Sequence, residues 1–208
     1  MQYTQGYKMP NWCANKIVYD ITDARSTDFA KKLVLLKMGI KIAEEEMDDG
    51  FFSYLIPKTD PSSCNSEEWG TKWDIAVPTF AGEEEEGVPD TLEEESHGVY
   101  SHIFDTAWGP PTGFVGRLCA ANPGLKVDIM FCDRAQDFLG YLTVKNEDYN
   151  TESSTFEEVA GEYPEEEYFK NVDLFDEACD LWEEQMDSKV EDYFLSYGLD
   201  PIYLGYGS

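Results

Sequence analysis

The sequence predicts an α+β fold, with two helices on one face of an antiparallel sheet and an acidic helix near the C-terminus. Segments rich in β-branched and aromatic residues alternate with two stretches whose apolar residues recur at helical spacing. A third stretch, residues 172–195, repeats apolar residues every three or four positions. The 208-residue chain is 42% apolar and 14% aromatic, which is sufficient for a buried core.

The first half of the chain predicts three strands and one helix. In chain order these are a strand at 15–22, a helix at 27–38, a strand at 51–57 and a short strand at 75–77. Ser26 is placed to cap the start of the helix and Gly39 to end it. Pro57 stops the second strand, and residues 58–66 are expected to be a loop.

The second half predicts the remaining elements. In chain order these are an exposed acidic insertion at 82–98 that forms a loop or short helix, a strand at 99–108, a helix at 112–121, and strands at 125–132 and 138–145. Residues 151–155 are expected to be a loop, and residues 172–195 form the strongest helix in the chain. The predicted order β-α-β-(β)-β-α-β-β is the split β-α-β arrangement of ferredoxin-like folds. We therefore expect an N-terminal extension at 1–8, a ferredoxin-like domain at 9–145 and an acidic C-terminal extension at 146–208.

Acidic residues far outnumber basic ones and are unevenly distributed. The chain has 43 acids and 15 bases, a net charge of −28, which disfavours binding to nucleic acid or anionic membranes. Residues 147–200 carry 19 acids and two bases, and residues 83–95 carry eight acids and no base. The rest of the chain therefore has 16 acids and 13 bases, so a nearly neutral core carries two acidic additions. A salt-rich habitat or a need for solubility would more naturally spread acid over every exposed face, so we favour an interaction surface for a basic partner.

The acidic candidates fall in two groups. In the insertion they are Glu83, Glu84, Glu85, Glu86, Glu93, Glu94 and Glu95, and in the C-terminal helix they are Asp173, Asp176, Asp180, Glu183, Glu184, Asp187 and Glu191. Steps of three or four residues along a helix place carboxylates about 5–6 Å apart, which is comparable to the phosphate spacing of one DNA strand. The alternative is an ordinary amphipathic helix with a solvated acidic face.

Three tryptophan-containing motifs contain the chain's other candidate residues. They are Met9–Asn15, Trp69–Asp74 and Phe104–Pro111, and their candidate side chains are Trp12, Asn15, Trp69, Lys72, Trp73, Asp74, Asp105 and Trp108. We expect the aromatic residues to lie in the core and the polar ones to hydrogen-bond loops. The alternative is a pocket in which Lys72 pairs with Asp74 or Asp105 among aromatic rings.

Together with Leu55-Ile56-Pro57, these motifs resemble, in content and order, the YubB ferredoxin-like family of plasmid and phage proteins, which has no established activity. The resemblance covers about residues 9–145 and implies a ferredoxin-like fold and a mobile-element origin. Residues 1–8, the acidic insertion and everything after about residue 146 depart from the family pattern.

Catalytic and metal-binding motifs are not evident, and we expect neither a cofactor nor a metal. Five cysteines without a C-x-x-C pair argue against a disulfide framework or a zinc site. His97 and His102 are expected to be solvated or hydrogen-bonded rather than metal ligands, and Asp48-Asp49-Gly50 lacks the remaining ligands of a calcium loop. With no signal-peptide pattern at the N-terminus and no apolar stretch that could span a membrane, we expect a cytoplasmic protein with reduced thiols.

The sequence therefore favours a non-enzymatic inhibitor that acts in the host cytoplasm, and the family resemblance implies that a phage or plasmid encodes it. It would occupy the basic nucleic-acid-binding cleft of a host defence protein, of the restriction or CRISPR type, without binding nucleic acid itself. One alternative is a small-molecule- or nucleotide-binding enzyme centred on the tryptophan motifs. Another is an interaction module that forms a homodimer through its C-terminal helix and tail.

Overall fold

The computed structural model describes residues 11–25, 27–38, 50–80, 91–164 and 172–199. The strands are β1 (Trp12–Asp20), β2 (Thr79–Phe80), β3 (Thr91–Ser96), β4 (Val99–Ala107), β5 (Lys126–Asp133), β6 (Phe138–Lys145) and β7 (Asp148–Ser154). The helices are α1 (Asp28–Lys37), α2 (Phe51–Leu55), α3 (Asn65–Glu68), α4 (Thr112–Ala121), α5 (Phe156–Ala160) and α6 (Val172–Ser196), and a short 3-10 helix spans Arg134–Gln136.

The described strands form one sheet in the order β2-β3-β4-β1-β5-β6-β7. All pairings are antiparallel except that of β2 with β3. β1 lies in the middle, where Asn15 is opposite Phe104 of β4 and Phe131 of β5. The predicted α+β class is confirmed, and the sheet is larger than the sequence predicts.

Alternation along β1 separates two hydrophobic cores, because successive strand side chains point to opposite faces. Ile17 and Tyr19 belong to the larger core with Phe29 of α1 and Phe114 of α4. Val18 packs against the second core, in which side chains of β5 and β6 meet those of α5 and α6. Its buried members are Met130, Cys132, Leu139, Tyr141, Phe156, Ala160, Met186, Val190 and Phe194.

Most long periodic elements are confirmed. The helix predicted at 112–121 and the strand predicted at 138–145 have the predicted bounds, and α1, β4, β5 and α6 differ from prediction by one or two residues. The N-cap of α1 is Thr27, whose hydroxyl accepts from the Ala30 N–H. Ser26 and Gly39 lie outside the described residues.

The strand predicted at 51–57 is wrong, because the chain there forms the short helix α2. Gly50 precedes it with φ +95°, and the Asp74 carboxylate accepts from the N–H groups of Phe52 and Ser53 at 2.7 and 2.9 Å. Phe51, Phe52 and Leu55 are buried. Short apolar runs fit a strand or a helix, and a distant carboxylate decided between them.

Three other predicted segments also differ from the structure. Residues 75–77 form no strand, since the Ile75 carbonyl accepts from Phe51 N–H at 2.9 Å and β2 begins only at Thr79. Residues 91–96 form β3 instead of a loop or helix, with Leu92 in the core opposite His102. Residues 151–154 belong to β7, a polar strand held by its pairing with β6. Residues 81–90 lie outside the described residues, and no described helix is long and apolar enough to span a membrane.

Candidate functional sites: an acidic helix face and a tryptophan cluster

One face of α6 packs on the sheet and the other presents carboxylates to solvent. Met186, Val190 and Phe194 are buried in the second core. The side chains of Asp180, Glu183, Asp187 and Glu191 are exposed. At a rise of about 1.5 Å per residue, these four positions follow one another at roughly 4.5 to 6 Å along the helix axis.

Within the described residues, no Lys or Arg nitrogen lies within 4.0 Å of the carboxylates of Asp180, Glu183 or Glu191. The basic residue of α6, Lys189, donates its ammonium to the Ala160 carbonyl at 2.7 Å and so ties α6 to α5. The exposed face of α6 therefore carries a row of negatively charged side chains. Asp173, Asp176 and Glu184 are also on α6, but their side chains are outside the described residues.

The acidic residues of β3 are arranged differently. Glu94 pairs with Lys37 of α1, whose hydrogen bond lowers the pKa of the glutamate, and Glu95 lies 4.0 Å from Lys16 of β1. These intramolecular pairs reduce the charge that Glu94 and Glu95 offer to a partner. Glu93 also lies on β3. Glu83, Glu84, Glu85 and Glu86 lie outside the described residues.

Part of the tryptophan motifs is structural, as expected. Asn15 is fully buried and donates its side-chain amide to the carbonyls of Cys13 and Phe104 and to the Thr106 hydroxyl, at 2.7, 3.3 and 2.8 Å. Trp69 is buried, and its indole N–H donates to the Ile56 carbonyl at 3.3 Å. These side chains hold β1, β4 and the adjoining loops together.

Three motif tryptophans are not in the core, so that part of the expectation is wrong. Trp12, Trp73 and Trp108 are 50%, 44% and 53% exposed, and the rings of Trp12 and Trp73 are 5.8 Å apart. The Lys72 ammonium lies 4.7 Å from the ring centre of Trp73 and 4.2 Å from that of Trp108. We call Trp12, Lys72, Trp73 and Trp108 the tryptophan cluster.

The backbone holds this cluster in a defined position. Trp108 adopts φ +78°, a conformation that is costly for a bulky residue, and its N–H donates to the Asn11 carbonyl at 2.9 Å. The N–H of Lys72 and the hydroxyl of Thr71 both donate to the Ala107 carbonyl, at 3.1 and 2.9 Å. The indoles therefore lie together at one end of β1 and β4, where Trp12 is opposite Ala107, and are held there without being buried.

The alternative arrangement, in which Lys72 pairs with Asp74, is not found among the described residues. Asp74 accepts hydrogen bonds from the backbone of Phe52, Ser53 and Ile75 and from the Ser53 hydroxyl, so its carboxylate is committed to α2. Burial raises the pKa of Asp74. Asp105 is exposed on β4. The sequence contained one signal for the exposure of Trp73 and Trp108, because both residues adjoin loop segments that contain glycine or proline.

His102 is neither solvated nor hydrogen-bonded, contrary to expectation. It is 1% exposed, neither ring nitrogen has a hydrogen-bond partner, and Phe51 and Phe104 pack on the ring at centroid distances of 5.6 and 4.6 Å. Burial lowers its pKa to about 3. His97 is exposed in the turn after β3.

The described residues contain no group of three or more His, Cys, Asp or Glu side chains that could hold a metal ion. Burial raises the pKa of the Cys119 and Cys132 thiols to about 12 and also raises that of Cys13, so these three thiols are poor nucleophiles at neutral pH. Asp48 and Asp49 lie outside the described residues.

The chain matches no protein-family model, no curated protein and no solved structure in the comparisons made. The resemblance to the YubB ferredoxin-like family therefore stays a prediction based on the four motifs.

Proposed function

We propose that this protein is a non-enzymatic inhibitor that occupies the basic nucleic-acid-binding cleft of another protein. The observation that carries the proposal is the solvent-facing row of Asp180, Glu183, Asp187 and Glu191 on a helix whose opposite face is anchored in the second core. A helix held in this way presents its carboxylates in a fixed array, so the partner does not have to order them. Such an array can replace phosphates against a partner's Lys and Arg side chains.

The proposed partner is a host defence protein of the restriction or CRISPR type, in the host cytoplasm. This part rests on the motif resemblance, which implies a phage or plasmid origin. Like charges on neighbouring turns of α6 repel one another by a few tenths of a kcal/mol per pair. Contact with a basic cleft would relieve that repulsion, and association would be fast and strongly weakened by salt.

The strand order supports a finer proposal for the fold. Four strands lie side by side in the sheet in the order β5-β1-β4-β3. Along the chain, α1 lies between β1 and β3, and α4 lies between β4 and β5. This is the order of a ferredoxin-like unit. We propose that β2, β6, β7, α5 and α6 are additions around it, with α6 providing the binding surface.

A pair of charge-matched variants tests the inhibitor proposal. The first variant combines Asp180→Asn, Glu183→Gln and Glu191→Gln on α6. The control combines Asp23→Asn, Asp28→Asn and Glu67→Gln, three exposed acids elsewhere on the molecule. Both remove three negative charges, so a difference between them reports position and not net charge.

DNA cleavage by a panel of restriction and CRISPR nucleases is measured with increasing amounts of each protein. We expect the α6 variant to need about tenfold more protein for half-maximal inhibition of a susceptible nuclease, and the control variant to match the unmodified protein. If both variants lose inhibition equally, the net charge of the protein and not the position of the acids on α6 explains the inhibition. Inhibition that the α6 variant leaves unchanged would reject α6 as the binding surface, and a panel without inhibition would reject the proposed class of target.

The tryptophan cluster favours a second candidate function, the binding of a ring-shaped ligand on the exposed indoles. Three half-exposed tryptophans, two of which contact one ammonium, provide stacking surfaces and a hydrogen-bond donor. Titration of nucleosides and sugars, followed by tryptophan fluorescence, tests it with a Trp73→Ser/Trp108→Ser variant. A fluorescence response that survives in the variant would place the ligand elsewhere.

A further inference from the structure

β7 is one of the two edge strands of the described sheet, and its outer side is open. It pairs with β6 over all seven of its residues without a register shift, and no other described strand pairs with it. Its side chains are exposed except that of Ser154, and none of them belongs to either hydrophobic core. The strand is therefore held in the sheet chiefly by its backbone hydrogen bonds to β6. The opposite edge strand, β2, has two residues and offers little backbone to a partner.

The register shows which backbone groups of β7 face outward. A two-residue turn joins β6 to β7, so Lys145 and Asp148 form the first hydrogen-bonded pair of the hairpin. Hydrogen-bonded and outward-facing positions alternate from there, which makes Tyr149, Thr151 and Ser153 the outward-facing residues. Within the described part of the chain, no hydrogen bond joins the backbone groups of these three residues to anything beyond β6. Three N–H donors and three carbonyl acceptors are therefore available along this edge.

The charge beside this open edge is negative. Glu147 lies in the turn, and Asp148 and Glu152 are on the side of the sheet that carries α6, since Glu152 is opposite Tyr141 of the second core. Among the described residues, no Lys or Arg nitrogen lies within 4.0 Å of these three carboxylates. A hydrogen bond with Glu152 raises the pKa of Tyr197, and the carboxylate has further acceptor positions beside that bond.

The protection of this edge is selective. Long edge strands are commonly protected by proline, by lysine or by a β-bulge, and β7 has none of these. Its charged residues are Asp148 and Glu152. A second copy of this chain would bring the same carboxylates to the edge and has a net charge of −28, so like charges oppose pairing between copies. The same two carboxylates would attract a strand that carries positive charge.

We propose that β7 accepts an extended segment of a partner protein as an added strand, and that this segment carries Lys or Arg at alternate positions. Its backbone bonds to the outward N–H and carbonyl groups of Tyr149, Thr151 and Ser153. In this form of recognition, main-chain hydrogen bonds supply affinity and alternate side chains supply specificity. Every second side chain of the added strand lies on the α6 side of the sheet, beside Asp148 and Glu152. The site is a different element from α6, and the proposal does not depend on the inhibitor function.

Fluorescence anisotropy of the full chain with three labelled peptides tests the proposal. The first is a short synthetic peptide in which lysine alternates with threonine and valine. The second has the same sequence with N-methyl groups on two adjacent central residues, which block hydrogen bonds at both edges of the peptide and leave its charge unchanged. The third has glutamate in place of every lysine. We expect the first peptide to bind at least about tenfold more tightly than either of the others, because each of them lacks one of the two required interactions.

A pair of variants at Thr151 provides the matched test on the protein. The Thr151 hydroxyl donates to the Tyr141 carbonyl at 2.8 Å, and both Thr151→Pro and Thr151→Val remove that bond. Only proline also removes the outward N–H, and proline is tolerated where an edge N–H does not bond to the neighbouring strand. We expect Thr151→Pro to bind the basic peptide at least about tenfold more weakly and Thr151→Val to bind it within about twofold of the unmodified protein. Circular dichroism establishes that both variants are folded, and the N-methylated peptide tests the proposal on the unmodified chain.

Amide hydrogen exchange, followed residue by residue by NMR, shows whether the edge is open and where the peptide binds. The N–H groups of Tyr149, Thr151 and Ser153 are expected to exchange fast in the free protein and at least about tenfold more slowly with the basic peptide bound. Slow exchange in the free protein would mean that the chain itself or a second copy already covers the edge, and this would overturn the proposal. Failure of the basic peptide to bind would also overturn it. Equal binding of the N-methylated peptide, or undiminished binding by Thr151→Pro, would reject strand addition, and equal binding of the acidic peptide would reject a basic partner.

Discussion

Replacing His102 by leucine is expected to remove a pH dependence from the stability of this protein. The imidazole is buried between Phe51 and Phe104, and neither nitrogen has a hydrogen-bond partner. Burial disfavours the charged form and lowers the pKa of His102 to about 3, whereas an unfolded chain titrates histidine near pH 6.5. Between these two values the unfolded state binds a proton that the folded state excludes, so the folded state loses stability as pH falls from 6.5 towards 3.

The magnitude follows from the two pKa values. A pH of 5 is about 1.5 units below the pKa of histidine in the unfolded state. At about 1.4 kcal/mol per unit, protonation of His102 then stabilises the unfolded state relative to the folded state by roughly 2 kcal/mol. At pH 7 the same contribution is about 0.2 kcal/mol. The free energy of unfolding should therefore fall by about 2 kcal/mol between pH 7 and pH 5 because of His102 alone.

Urea unfolding of the unmodified protein and of His102→Leu at pH 7 and pH 5 measures this contribution. Carboxylates that titrate over this range do so in both proteins, and His97 is present in both, so the difference between their pH dependences isolates His102. Packing changes caused by leucine affect both pH values alike and cancel. If the two proteins lose the same stability to within about 0.5 kcal/mol, His102 is hydrated or partnered in solution and the reasoning fails.

The remaining predictions concern the tryptophan motifs and are all measured on purified variants. Asp74→Ala should lower the free energy of unfolding by about 3 kcal/mol in urea, because backbone donors of Phe52 and Ser53 lose their acceptor, and a loss below about 1 kcal/mol would show that the carboxylate does not hold α2. Gly70→Ala should cost at least about 1 kcal/mol, since φ is +88° and the new Cβ would lie 2.9 Å from the Pro110 carbonyl oxygen; a neutral effect would mean that the loop can move. Lys72→Ala should shift the tryptophan emission spectrum while changing stability by only about 1 kcal/mol, since cation–π contacts at exposed sites are weak. An unchanged spectrum would contradict the placement of the ammonium over two indoles.

The candidate sites were predictable to different degrees. The acidic face of α6 follows from the sequence, because helical spacing alone puts apolar and acidic residues on opposite sides. The sequence does not predict that Glu94 and Glu95 form ion pairs within the protein, because their lysine partners are far away in the chain on α1 and β1. The exposure of the tryptophan cluster was not predicted either. Tryptophan side chains tend to be buried, and this tendency was given more weight than the position of these residues in loops.

By itself, the sequence determined the periodic helices, the best strands and the uneven distribution of charge. These features depend on contacts between residues a few positions apart, or on composition alone. Only the tertiary structure decided that 51–55 is a helix, that the polar segment 148–154 completes the sheet and that His102 has no hydrogen-bond partner. Those outcomes depend on groups distant in the chain, such as the Asp74 carboxylate and the backbone of β6, and local pattern does not specify which distant groups will meet.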